Sequence, residues 1–239
     1  MTSPDLARLL TGCVADGAQV RMGELDRLAL AHDASHVLLV PAAVVAPRGA
    51  DEVARLLRTT SAAGIGLTFR SGGTSLSGQA GTDGVLLDVR RHFTGIEVLD
   101  DGARVRVEPG VTVRALNARL ARHGRKFGPD PASEVAATIG GVVANNSSGM
   151  ACGTGENSYR TLESLVVVLP SGTVIDTGAR DAEDVLRTLE PTLYAGLLAL
   201  RERVLANAAS MRCRMRRSCQ RLKRMTPTTS KTPATTRPS

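Results

Sequence analysis

Tryptophan is absent from the 239 residues, and two tyrosines and three phenylalanines are the whole aromatic complement. Binding of single-stranded nucleic acid relies on aromatic side chains interleaved with basic ones, so no specific nucleic-acid partner is expected. Four cysteines stand at 13, 152, 213 and 219 with no CxxC pair and no histidine at ligand spacing. They support neither a disulfide framework nor a zinc site, and Cys213 with Cys219 would supply only half of a metal's ligands. The cysteine clusters that hold iron–sulfur centres are missing as well. No apolar run reaches the roughly 20 residues that span a bilayer. The first twenty residues lack the basic start and continuous apolar core of a secretory leader, so a soluble, cytoplasmic protein is the expectation. Acid is missing from one end: residues 1–202 hold all 23 acidic residues and 20 of the 30 basic ones, a net −3, whereas 203–239 hold 10 basic residues and none acidic. The overall +7 therefore belongs to the tail and says nothing of what the folded part binds.

What is present is globular composition, 42% hydrophobic with 24 glycines and 11 prolines, at a length suited to one large domain or two small ones. Residues 1–36 read as a helical lead-in. In DEVARLLRTTSAAG, Val53, Leu56 and Leu57 share a helical face and Gly64 sits where a left-handed cap is wanted. A buried strand, IGLTF, follows, and VLLDV at 85–89 reads as another. IEVLDDGARVRVEPG alternates on either side of an Asp-Asp-Gly turn, a hairpin pattern, and LVVVLPSGTVID at 165–176 is a second hairpin. Between them, TVRALNARLARHG offers Thr112 as N-cap, Val113, Leu116 and Leu120 as a buried stripe and Gly124 as terminator. Residues 181–206 are helical in pattern, with Pro191 opening the second of two helices. From 207 to 239 the period stops, and a disordered basic tail is expected. Arginine outnumbers lysine 27 to 3, as in high-GC coding sequence. Out-of-frame translation of such DNA gives text rich in Arg, Pro, Ser and Thr, so the tail reads as a frameshifted end, which an uninterrupted frame on resequencing would overturn.

Two segments carry candidate chemistry. RSGGTSLSGQAGTDG, Arg70 to Gly84, directly follows a strand. Its glycines at 72, 73 and 78 let backbone approach an anion, while neighbouring N–H groups and the hydroxyls of Ser71, Thr74 and Ser75 can donate to phosphate oxygens. It is not a Walker loop, because no GK[ST] follows, nor a Rossmann fingerprint, because no GxGxxG opens a helix. Alone, it reads equally as a flexible surface loop. FGPDPASEVAATIGGVVANNSSGMACGTG, 127–155, repeats the crowding of glycine and small polar residues. Pro129 and Pro131 stiffen its entry, Gly140 and Gly141 permit close approach at the start of a short helix, GVVAN, and Asn145, Asn146, Ser147 and Ser148 offer neutral donors and acceptors. Alone, this is a helix between turns. His32, His36, His92 and His123 are scattered and read as surface or hydrogen-bonded histidines. Cys152 reads as a small packing residue, and Arg90 with Arg91 as a solvated face.

In order, DASHVLLVPAAVVAPRGADEVARLL, RSGGTSLSGQ, VEPGVTVRALNARL, GPDPAS, TIGGVVANNSSG and SLVVVLPSGTVID span about residues 30–178. This run resembles the FAD-binding domain of the vanillyl-alcohol oxidase and p-cresol methylhydroxylase (PCMH-type) superfamily. The wording of NNSSGMACGTGENSYRTLESLVVVLPSGTV is most similar to the D-lactate and D-2-hydroxyglutarate dehydrogenases, including the long members with an iron–sulfur domain. The resemblance implies an α+β fold, a PCMH-type domain at 37–180 with lobes at about 37–90 and 91–180. A small sheet with helices would come first, a larger mixed sheet second, and FAD between them. It implies that Ser71, Gly72, Gly73, Thr74 and Ser75 bind the pyrophosphate, with Gly78 and Gln79 closing the loop, and Arg70 is counted among the cofactor-binding residues. Pro131, Ser133, Thr138, Gly140 and Gly141 would line the ribityl and pyrophosphate portion. Asn145, Ser147, Gly149, Cys152 and Gly153 would approach the flavin ring, and Ile175 the adenine end. Several relatives attach FAD through a histidine where Thr74 stands. Threonine cannot form that bond, so noncovalent FAD is expected.

The implied reaction is transfer of hydride from the α-carbon of a D-2-hydroxyacid to FAD, giving the 2-oxoacid. Its base and the cation for the substrate carboxylate belong, in the family, to a C-terminal substrate domain, so no catalytic residue is named and the chain reads as a truncated dehydrogenase. Alternatives are a standalone FAD-binding subunit of a larger oxidoreductase, or a module whose tail binds nucleic acid or anionic membrane. Without its cap the flavin side would expose apolar surface, predicting weak solubility or a partner.

Overall fold

The computed structural model describes residues 2–153 and 155–207, so the expectations for the tail, with Cys213 and Cys219, lie outside the described residues. The chain divides into two compact units, residues 1–182 and the stretch from Glu183 onward.

In the first unit, α1 (Ser3–Thr11) starts on Thr2, whose hydroxyl accepts from the Asp5 N–H, and buries Leu6 and Leu10. β1 (Val20–Arg21) and α2 (Glu24–Leu28) complete a lead-in that is not purely helical, because β1 pairs antiparallel with β2 (Ala43–Val45). α3 (Ala50–Ala62) ends with Gly64 at φ +67°, the predicted left-handed residue, and leads to β3 (Leu67–Arg70). β4 (Val85–Asp88) then inserts between β2 and β3, parallel to both, giving the order β1-β2-β4-β3. A central parallel strand is covered on both faces, which is why VLLD is a continuous buried run and not an alternating one. Val85 and Leu87 pack with Leu6, Leu10, Ala43, Val45 and Leu56 in one core cluster. Leu86 packs with Val44 and Leu30 in another.

Beyond residue 90 come β5 (Ile96–Leu99) and β6 (Arg104–Val107), antiparallel about the predicted Asp-Asp-Gly turn. In that turn Asp100, Asp101 and Gly102 all have positive φ. α4 (Val113–Leu120) is capped by the Thr112 hydroxyl and buries the predicted stripe, and Gly124 follows at φ +62°. α5 (Ile139–Ala144) begins two residues earlier than the GVVAN reading, with Thr138 as its N-cap. α6 (Ser158–Thr161) precedes the hairpin of β7 (Val166–Val168) and β8 (Val174–Asp176). The expected larger mixed sheet is not what forms. Among the described residues the four-stranded sheet is the largest, and β5-β6 and β7-β8 stay separate two-stranded ladders. Each is closed by its own local turn, and their apolar faces turn to different neighbours. β5-β6 covers the cluster of Val113, Leu116, Leu120, Ile139 and Val142, whereas the β7-β8 turn glycine, Gly172, lies against Ala54 and Arg58 of α3.

Glu52 ties the lead-in to this framework. Its carboxylate is buried and accepts from the Ala15 N–H (2.9 Å), the Arg48 N–H (2.7 Å) and Gln19 Nε2 (2.7 Å). Burial alone would raise its pKa, but those donors outweigh it and hold the group below its ordinary 4.5. A depressed carboxylate stabilises the fold above its unfolded pKa and loses that contribution as pH falls through the folded one. Glu52→Ala leaves three donors unsatisfied and is expected to cost about 2–4 kcal/mol. Urea midpoints at pH 7 check this, and the gap between the two proteins narrows below about pH 4.

In the second unit, α7 (Ala182–Leu189), whose first residue belongs to unit one, is followed by α8 (191–207), opened by Pro191 as expected. Tyr194 Oη donates to Glu183 at 2.6 Å.

Candidate functional site

The first candidate segment leaves the C-terminal end of β3, beside the end of β4, where Arg70 and Asp88 are register partners. Ligands of open α/β sheets bind at such strand ends. Gly73 (φ +66°) and Gly78 (φ +73°) take the left-handed backbone that makes the loop double back. Ser75 closes the loop on itself: its Oγ donates to Gln79 Oε1 (2.9 Å) and accepts from the N–H groups of Ser77 and Gln79.

The second segment is brought onto the first. The Pro131 carbonyl accepts from Glu134 N–H, and the Ser133 carbonyl from Ala136 and Ala137 N–H, a turn that sets residues 136–138 beside the loop. Gly72 approaches so closely that a Cβ there would lie 2.1 Å from the Ala136 carbonyl oxygen. Thr138 Oγ1 donates to Ser71 Oγ at 2.5 Å. A Cβ on Gly141 would stand 3.5 Å from the Ser71 Cβ, and one on Gly140 2.6 Å from Pro109. Residues about 67 apart in sequence thus meet: Ser71 and Gly72 lie against Ala136, Thr138 and Gly141, while Gly140 packs on Pro109.

After α5 the chain turns through Asn146 at φ +46°, whose Oδ1 accepts from Tyr159 N–H, while Ser147 is held by Ser158. Asn145 is exposed at the helix end. Gly149 abuts Asp130, whose carboxylate accepts from Ala151 N–H (3.0 Å) and Cys152 N–H (3.2 Å). Those donors, Ala151 first, hold the Asp130 carboxyl below its ordinary pKa. Cys152 Sγ donates to the Gly153 carbonyl at 3.3 Å. Ile175 is not joined to this cluster by any described contact; it is buried in β8, paired with Val167.

Sequence reading missed the floor of the loop. Asp33 is buried; it accepts from Ser35 N–H (2.9 Å) and Ala80 N–H (3.3 Å), while Ala34 N–H donates to the Gly73 carbonyl. Val37 fills the space a Gly78 side chain would need, its Cγ2 2.8 Å from that Cβ position. The available signal was Asp-Ala-Ser, an Asx turn. Arg90, expected on a solvated face, is 39% exposed and also bonds Asp88 through Nε at 3.1 Å. His32 and His36 are exposed, and His123 bonds Asp101. Leu76, Val135 and Met150 are exposed around the two segments. A shallow concavity of about 320 Å³ between α4 and β5, lined by Thr94, Ile96 and Arg119 among others, includes none of the predicted residues.

A family model described as "FAD binding domain" matches residues 41–178, more than half of the chain and both glycine-rich segments. The chain belongs to this FAD-binding domain family. The domain is 34% identical over 170 residues to D-2-hydroxyglutarate dehydrogenase of Haemophilus influenzae, covering 69% of this chain and 16% of that protein. It is 33% identical over 162 residues to the glycolate oxidase subunit GlcD of Bacillus subtilis, covering 66% of this chain and 34% of the subunit. It therefore spans about a sixth to a third of these relatives. Among solved structures it is similar to alkyldihydroxyacetonephosphate synthase (TM-score 0.64, 21% identity, 77% of this chain and 36% of that one). It is also similar to p-cresol methylhydroxylase (TM-score 0.59, 17% identity, 75% and 37%). These neighbours establish the PCMH-type α+β fold, and FAD is the cofactor of the family. The residues present fit such a dinucleotide: two left-handed glycines, clustered N–H and hydroxyl donors, and a buried arginine beneath the loop. Among the described residues no helix is long and apolar enough to cross a membrane.

Proposed function

We propose that this FAD-binding domain is the cofactor-holding part of a flavin-dependent D-2-hydroxyacid dehydrogenase, with lobes at about 37–90 and 91–180. The observation that carries this reading is the junction of the two glycine-rich segments through Gly72 against Ala136 and Thr138 Oγ1 on Ser71 Oγ. That junction assembles donors without a fixed side-chain charge at the surface, the chemistry that suits a pyrophosphate lying against backbone. In the proposed arrangement Ser71 to Ser75, with Gly78 and Gln79, hold the pyrophosphate. Pro131, Ser133, Thr138, Gly140 and Gly141 line the middle of the cofactor. Asn145, Ser147, Gly149, Cys152 and Gly153 border the flavin ring, and Ile175 the adenine end. FAD, when bound, supplies the hydride acceptor for oxidation of a 2-hydroxyacid to the 2-oxoacid. The D-2-hydroxyglutarate and D-lactate dehydrogenases and glycolate oxidase subunits among the relatives support this substrate class. Those relatives are several times longer than the matched region. The base that takes the hydroxyl proton and the cation that holds the substrate carboxylate are accordingly assigned to polypeptide outside it.

A second reading, a FAD-binding subunit that works with a separate polypeptide, draws support from the GlcD relatives, which are named as subunits. Exposed Leu76, Val135 and Met150 suit a covering partner in either case.

Thr74 offers no ring nitrogen for attachment, so the cofactor is held noncovalently. Purified chain mixed with FAD and desalted is expected to show oxidised-flavin absorbance, and acid precipitation is expected to release all of the colour to the supernatant. Folded protein that retains no flavin would overturn the reading, and colour that stays in the precipitate would overturn noncovalent binding.

A further inference from the structure

The ladder of β5 and β6 leaves one edge of β5 without a strand among the described residues. Glu108 N–H donates to the Gly95 carbonyl and Gly110 N–H to that of Phe93, so the bonded pairs of the register continue at Glu97↔Arg106 and Leu99↔Arg104. The main-chain groups of Ile96 and Val98 therefore point away from β6, and no described backbone bond joins them to another segment. Such an edge is a template for a further strand. Along it runs the concavity of about 320 Å³, with Thr94 and Ile96 on the strand side and Ala115, Ala118, Arg119 and Arg122 on the helix side. Those four positions are spaced three and four apart, one stripe running from α4 into the turn after it. The two alanines keep that wall low and leave room for a chain beside β5.

The charge on the helix side is of one sign. Residues 113–126 contain no acid, and the exposed Arg119 and Arg122 form no ion pair with a described residue. The acids of β5 and its turn are engaged elsewhere: Glu97 with Arg106, Asp100 with Arg104 and Asp101 with His123. Alternation along the strand puts Glu97 on the face opposite Ile96 and Val98.

We propose that the groove between β5 and α4 docks an extended acidic segment of a partner polypeptide, which adds to β5 as a third strand and sets its carboxylates against Arg119 and Arg122. The unpaired edge selects a polypeptide, because alternating N–H and C=O groups are matched by another extended backbone. A phosphate-bearing surface would engage the arginines and leave the edge unpaired. The groove includes none of the residues assigned to the cofactor, so the proposal stands whether or not the chain holds FAD.

Fluorescence anisotropy with a labelled octapeptide of alternating glutamate and valine tests it on the full wild-type chain, R119E/R122E and R8E/R106E. Wild type is expected to bind at low salt and to weaken as salt rises. R119E/R122E is expected to bind at least about tenfold more weakly, whereas R8E/R106E, the same charge change outside the groove, binds as wild type does. The peptide N-methylated throughout keeps its charge but cannot pair, and is expected not to bind. Amide exchange at Ile96 and Val98 is expected to slow at least about tenfold when the unmodified peptide is bound. Peptide that fails to bind wild type overturns the proposal. Equal binding by R119E/R122E overturns it too, since the ten basic residues of 203–239 would then be what holds the peptide. So does N-methylated peptide that binds equally, or heparin or phosphatidylglycerol vesicles that bind through Arg119 and Arg122 where the peptide does not. Should R119E/R122E not fold, the two peptides and the exchange of Ile96 and Val98 on wild type decide.

Discussion

Replacing Gly72 with alanine is expected to lower FAD affinity at least about tenfold while the far-UV circular dichroism remains that of the folded chain. The single added carbon would lie 2.1 Å from the Ala136 carbonyl oxygen and 3.2 Å from the Ala137 Cα. These are backbone atoms, so no rotamer change relieves the clash. Either the 71–80 loop or the 133–138 turn must move, and each movement separates Ser71 from Thr138. Overpacking of this kind costs about 1–3 kcal/mol, small against the stability of a domain but concentrated where cofactor donors must converge. Fluorescence titration with FAD measures the loss. Gly66→Ala, where a Cβ meets nothing within 4 Å, is the control and is expected to leave affinity unchanged; equal effects at both positions would show that the close approach of the two segments is not what the cofactor needs.

Truncating Leu87 to alanine is expected to destabilise the first unit by about 3–5 kcal/mol, read as a lowered urea midpoint at unchanged slope. Leu87 is fully buried in the central strand, packed with Leu6, Leu10 and Leu56 from the two covering helices and with Val45 beside it. A site walled by two helices and a sheet collapses poorly around a void, which places the cost in the upper part of the range. Domains of this size have about 5–15 kcal/mol in all, so the substitution removes a large share of the stability. FAD at a hundred times its dissociation constant should return about 2.7 kcal/mol of the loss if it binds only the folded state. A midpoint that FAD leaves unmoved would mean that the sheet is not what positions the cofactor loop, or that FAD does not bind.

Elements with a local cause were legible in the residues themselves. Thr112 caps α4 because its hydroxyl is three residues from an N–H that needs an acceptor, and Gly64 and Gly124 end helices because they tolerate positive φ. The Asp-Asp-Gly turn made the β5-β6 register unambiguous. The two glycine-rich segments were also visible, since glycine and small hydroxyls at such density have no propensity reason to occur in helix or strand. Their order along the chain was enough to suggest a flavin-binding family, which the match over 41–178 then established.

What the residues could not show was which segments meet. The sheet order β1-β2-β4-β3 places β4 between two strands that precede it, and no local pattern encodes that insertion. Asp33 and Val37 look like lead-in residues until the fold lays them under the loop, where an N–H without a partner and the space beside a glycine call for a carboxylate and a methyl group. Arg90 read as solvated and does stay 39% exposed, but its pairing with the buried Asp88 carboxylate depends on the strand end that the fold sets beside it. Two hairpins stood where one broad sheet was expected, since ladder pairing beyond a local turn depends on which edges tertiary packing brings within reach. Caps, turns and buried stripes are matters of residues a few positions apart, and the sequence determined them. The cradle of Gly72, Ser71, Thr138 and Arg70 depends on contacts across some 67 residues, and only the tertiary structure, through burial of the apolar strands and helices that carry those segments, decided it.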